Sequence, residues 1–197
     1  MKKLYAKTVV ALLCVLITHF ASAQKLYWVG NGGDWHDSTR WSLTSGGPSA
    51  GVIPTISDSV IFDVNSFTLP SQVVYIPDDG DNNGASFATM DWRGVSNTPT
   101  LRIRKDYPSP TASVWISNSV AGSIYFDDNM ILDFSAVDFE MSSSVAYVLD
   151  TRGHNLSNTS FAINFGAAAG RPGEAVTCAL LSDLNNASVI VSKGTFQ

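Results

Sequence analysis

The chain has 197 residues, twelve of them Lys or Arg against seventeen Asp or Glu, for a net charge of −5. A chain this acidic lacks a phosphate-neutralising surface, which argues against a nucleic-acid partner. Fifteen of the acids are Asp and only Glu140 and Glu174 are Glu; Asp favours turns where Glu favours helices, so an all-β protein rich in turns is expected.

The chain opens with a basic start (Lys2, Lys3, Lys7), an apolar run from Val9 to Phe20, and "ASA" before Gln24. That is the layout of a secretory signal peptide over residues 1–23, cut near Ala23, so the mature chain is expected to be secreted or held at the outer cell surface. A lipoprotein signal does not fit, because Cys14 follows Leu13 and the apolar run continues past it. No later stretch reaches the ~20 apolar residues of a membrane-spanning helix, so the mature chain is expected to have no membrane span. Losing Lys2, Lys3 and Lys7 leaves nine basic residues against seventeen acidic ones, a net charge of −8. The roughly 174 residues that remain are enough for one domain with a substantial core.

Residues 24–63 form the next segment. "YWVGNGGDWHDSTRWS" (27–42) holds Trp28, Trp35 and Trp41 among glycines that let the backbone turn back on itself. Two readings compete. Indole faces stack on sugar rings, so these three are candidate carbohydrate-binding residues. Alternatively they are a structural cap, closing one end of a fold and burying a large apolar area each. "GPSAG" (47–51) matches a nucleophile pattern that has meaning only between a buried strand and a helix. It lies in a Gly/Ser/Pro loop with no helix after it, so chance composition explains it.

From residue 64 to 197 short runs rich in Val, Ile, Phe and Tyr recur, beginning with "SVIFD" (59–63) at the boundary. They continue as "QVVYI" (72–76), "TLRI" (100–103), "SVWIS" (113–117), "SIYFD" (123–127) and "MILDF" (130–134), then "AYVLD" (146–150), "FAINF" (161–165), "CALL" (178–181) and "SVIVS" (188–192). Such spacing means a sandwich, a barrel or a solenoid. A solenoid is favoured because several runs end in Ser, Asp or Asn, while Asn-Gly and Asp-Gly occur only in long loops rather than between adjacent strands. The last run also stops without a polar cap, so the sequence is expected to be the N-terminal part of a longer protein. An antiparallel β-sandwich or jelly roll is the alternative.

Four features of this region carry possible chemistry. In "DDGDNNG" (78–84), Asp79, Asp81 and Asn83 alternate as in the opening of a calcium loop, which makes calcium the candidate cofactor. The position that should hold a bidentate Glu is Met90, so a solvated turn competes. Asp127, Asp128, Asp133 and Asp138 are candidate carboxylates for glycan hydrolysis or lysis. Residues 113–150 hold no Lys, Arg or His to work with them. His36 and His154 have no visible partner, and Cys178, in "AVTCALL", reads as a buried small hydrophobe.

The order Trp28, Gly30, Gly33, Trp35, Arg40-Trp41-Ser42, Pro54, Asp58 and "VIFD" resembles the entry segment of large secreted surface proteins of Bacteroidetes. "MDWRGVSNTPTLRI" (90–103) resembles their next block, and the later runs resemble their coil repeats. The resemblance implies a right-handed parallel β-helix with an N-terminal aromatic cap formed by Trp28, Trp35, Trp41 and Trp92. Members often carry a type IX secretion sorting domain, which this sequence does not show. It implies a non-catalytic stalk or adhesin scaffold whose partners are extracellular glycans or surface proteins. A carbohydrate-binding module is the second expectation and a polysaccharide lyase or hydrolase the third.

Overall fold

The computed structural model describes residues 23–78, 85–105, 112–116, 123–134, 137–143, 147–156, 159–165, 177–180, 188–193 and 195–196. The entry segment holds β1 (Lys25–Trp28), β2 (Gly33–Asp34), a 3-10 turn (Ser38–Arg40) and β3 (Trp41–Ser42). Three circuits follow: β4 (Ser59–Ile61), β5 (Val73–Asp78) and β6 (Ser86–Phe87); β7 (Thr89–Asp91), β8 (Thr100–Lys105) and β9 (Ala112–Ile116); β10 (Ser123–Tyr125), β11 (Ile131–Phe134) and β12 (Val137–Ser143). Then come β13 (Tyr147–Asp150), β14 (Thr159–Phe165), β15 (Thr177–Leu180), β16 (Ser188–Lys193) and β17 (Thr195–Phe196). There is no α-helix among the described residues.

The strands assemble into three sheets. The first orders β17-β15-β13-β10-β7-β4-β1-β3, the second β11-β8-β5-β2, the third β16-β14-β12-β9-β6. Each of these three circuits thus sends one strand to each sheet, whereas β13 to β17 join only the first and third sheets among the described residues. All pairings between named strands are parallel except β1 with β3. The fold is all-β with parallel sheets, and that pairing sets aside the antiparallel sandwich.

The core follows from register. In the first sheet Leu26, Val60, Met90, Ile124 and Leu149 lie on successive rungs and are all buried. Two residues further along each strand come Trp28, Phe62, Trp92, Phe126 and Thr151, each with zero exposure. Side chains two apart share a face, so both columns point inward. The backbone ladder continues past the strand ends, with Phe62 N donating to Asp91 O (2.8 Å), Trp92 N to Tyr125 O (2.8 Å) and Phe126 N to Asp150 O (2.9 Å). The second sheet adds the columns Val74–Leu101–Leu132 and Ile76–Ile103–Phe134. Each buried aliphatic residue contributes about 1.5–3 kcal/mol.

Candidate functional site: the aromatic cluster and the outer ladder

The first circuit is built to turn sharply. Gly30 sits at φ +81 and a side chain there is strained. Gly33 makes room for Arg40, whose Nε lies 2.7 Å from where a Cβ would stand. Arg40 donates to the carbonyl of Gly30 and pairs with Asp37 at 3.3 Å. Asp37 caps the 3-10 turn through Thr39 N (2.9 Å) and the Thr39 hydroxyl (2.6 Å). Those two bonds, the hydroxyl's first, hold its carboxyl below the ordinary aspartate range. The turn hands the chain to β3, which runs back along β1 with Trp41 opposite Trp28. The outer edge of β3 is covered in turn by the Ser42–Ser49 bridge and by Ala50 N donating to Trp41 O (2.7 Å).

Geometry brings the four expected indoles into one cluster. Trp41 meets Trp28 edge-on at 5.0 Å and Trp35 at 4.9 Å. Trp28 stacks on Phe62 at 5.7 Å, and Phe62 lies flat on Trp92 at 3.7 Å. Phe67 continues the parallel set at 6.0 Å from Trp92, and Phe87 meets Trp35 at 5.8 Å. Trp41 Nε1 donates to Trp35 O at 2.9 Å and Trp28 Nε1 to Asn31 O, so both indole hydrogens are used inside the fold. Trp28, Trp35, Trp41 and Trp92 all have zero exposure. A sugar needs an open ring face to stack on, and none of these rings offers one.

Asn31 ties this cluster to the next circuit. At φ +71 it turns its side-chain oxygen to accept from Thr68 N (2.8 Å), Thr68 Oγ1 (3.1 Å) and Leu69 N (3.0 Å). Asn97 Nδ2 donates to Phe67 O and Asn129 Nδ2 to Val95 O at 3.1 Å, so side-chain amides repeat this cross-circuit bond further along.

The outward face of the first sheet carries a feature that spacing alone did not reveal. Asp91, Tyr125 and Asp150 occupy successive rungs. Arg93 grips Asp91 with two bonds (2.9 and 2.7 Å) and lies over the Tyr125 ring at 3.8 Å. Its hydrogen bonding to Asp91, then the charges of Asp91, Tyr125 and Asp150, raise its pKa against the pull of burial. Arg152 pairs with Asp150 at 3.5 Å. On the second sheet Arg102 pairs with Asp133 at 2.7 Å. The acid-rich stretch without a base of its own therefore receives Arg93 and Arg102 from the preceding circuit. Only register brings them together.

The remaining sequence candidates fall as follows. Asp127 accepts from Gly94 N and Asn129 N, each at 2.8 Å, and its carbonyl lies 2.8 Å from His154 Nε2. Asp128 is exposed. Asp138 lies in β12, paired with Ser113 and Ser160. Ser49 Oγ donates to Ser38 O and accepts from Gly51 N, both at 3.1 Å, with no base among its partners. His36 stands 3.6 Å from Asp34. Cys178 lies in β15, opposite Tyr147. Asp79, Asp81 and Asn83 lie outside the described residues. Among the described residues no group of three His, Cys, Asp or Glu could hold a metal ion. No described helix is long and apolar enough to cross a membrane.

Two carboxylates on one outer face raise the question of hydrolysis. Asp91 and Asp150 stand two rungs apart, about 9–10 Å of backbone, near the separation used by inverting glycosidases. Each is paired with an arginine two residues on, Arg93 and Arg152. No family model, curated protein or solved structure matches the chain.

Proposed function

We propose that the chain is a non-catalytic module of an exported or cell-surface protein, a right-handed parallel β-helix serving as a stalk or adhesin scaffold. The observation that carries this reading is the enclosed indole cluster at the first circuit, followed by inward columns that repeat from rung to rung. Parallel circuits that contact only their neighbours leave an open apolar end, and a cap answers that need. The outer carboxylates Asp91, Asp133 and Asp150 support it too, since each is paired with an arginine. The resemblance of Tyr27–Asp63 to the entry segment of Bacteroidetes surface proteins points the same way, and the signal-peptide layout supports export.

A glycan panel tests the reading. Tryptophan emission is expected to stay unchanged on adding neutral or acidic polysaccharides, and no reducing sugar or unsaturated product is expected to form. Saturable quenching would replace the scaffold with a carbohydrate-binding module, and product formation would replace it with an enzyme. A calcium titration belongs in the same series, because a rise in melting temperature abolished by Asp79→Ala with Asp81→Ala would assign the cation to residues 78–84.

A further inference from the structure

Asp58 stands immediately before β4, opposite Gln24, which stands immediately before β1. It is buried, with 7% exposure. Its Oδ2 accepts from Thr55 N (2.8 Å) and Thr55 Oγ1 (2.7 Å), and its Oδ1 accepts from Gln24 N at 2.9 Å. Ser59 N donates back to Gln24 O at 2.8 Å, and Ala88 N donates to Asp58 O at 2.7 Å, so this corner joins three circuits. No ion pair involves Asp58 among the described residues. An enclosed carboxylate held only by neutral donors bears a desolvation cost that a cation would offset.

We propose that Asp58 is the receptor for the α-ammonium group left on Gln24 when the signal peptide is cut after Ala23, so that export cleavage itself tightens the cap. The inference rests on the export reading. Hydrolysis of the Ala23–Gln24 bond adds one water: Ala23 leaves with a carboxylate, and Gln24 keeps an amine that is protonated near neutral pH. The donor facing Oδ1 then changes from a neutral amide to a charged group, and charge-assisted bonds are about twice as strong as neutral ones. Gln24 begins the strand that carries Trp28, so the new pair anchors the first indole. It also opposes cyclisation, because a protonated amine cannot attack its own side-chain carboxamide to expel ammonia and close a neutral lactam.

The test compares the mature chain starting at Gln24 with the same chain retaining residues 20–23, in which the Gln24 nitrogen is an amide. At neutral pH the mature form is expected to melt about 2–6 °C higher. In an Asp58→Asn background the two are expected to melt together. Equal melting of the two native-sequence chains overturns the pairing, and so does the same gap in both backgrounds. The first comparison suffices if Asp58→Asn fails to fold. N-terminal sequencing and mass spectrometry of the exported protein separate the two layers. A free-amine start at Gln24 supports the proposal, and a lactam at that position overturns the pairing. A start elsewhere overturns the link to export while leaving the melting comparison to judge the contact.

Discussion

The Arg93 side chain is 49% exposed and still reaches two circuits. It holds Asp91 of its own circuit with two bonds and covers Tyr125 of the next, while the neighbouring Gly94 N donates to Asp127. Replacing it with Met keeps most of the apolar stem and removes both the fork and the cation. The expected cost is about 1 kcal/mol, since solvent screens a pair this exposed and the ring contact adds only part of its full value. Arg93→Lys should recover less than half, because an ammonium cannot match the fork or lie flat on the ring. Urea midpoints check both, and an unchanged midpoint for Arg93→Met would make the ladder a surface ornament. The Asp34–His36 approach at 3.6 Å is too long for a hydrogen bond and is expected to contribute nothing measurable.

At the scale of elements, Asn31 decides how the entry segment joins the second circuit. Its conformation at φ +71 is one that Gly adopts freely and Ala does not. Asn31→Gly keeps the backbone and loses three accepted bonds, an expected loss of about 1–2 kcal/mol. Asn31→Ala adds strain and should be worse by a further ~1 kcal/mol. Chemical denaturation of the pair separates the two effects; an Ala variant as stable as the Gly variant would show that the turn relaxes. This residue also marks the limit of what could be read beforehand. The ten apolar runs all coincide with strands, because Val, Ile, Phe and Tyr at alternate positions fit a half-buried ribbon whatever its neighbours. β2, β3, β6 and β17 span two residues each and exist only through their partners, so no periodicity announces them. β12 reads "VDFEMSS", where two acids interrupt the apolar pattern. The clustering of tryptophans was visible as a sequence feature, whereas their enclosure depends on β3 folding back on β1. The outer ladder was invisible, because Arg93, Tyr125 and Asp150 meet only once the rungs are counted.

For the whole molecule the question is how far damage at the indole cluster travels. Trp41 touches Trp28, Trp35 and Phe62 and, among the described residues, no aromatic residue of later circuits. Trp41→Ala leaves a cavity expected to cost ~3–5 kcal/mol. In the β-helix proposed above, stability would be a sum of local and nearest-neighbour contributions, and the loss would decay along the axis. Amide hydrogen exchange should then fall in protection most at β1 and β4, less at β7, and hardly at β10 and β13. The continuous column Trp28–Phe62–Trp92–Phe126 works against that decay, since flat rings at 3.7 Å couple the second circuit tightly to the third. The gradient should therefore be shallow as far as β7 and steep beyond it, because ring contacts join Trp28, Phe62 and Trp92 while Phe126 meets Phe134 and His154 instead. A uniform loss of protection from β1 to β13 would instead mean one indivisible core, and would remove the physical reason for a dedicated cap.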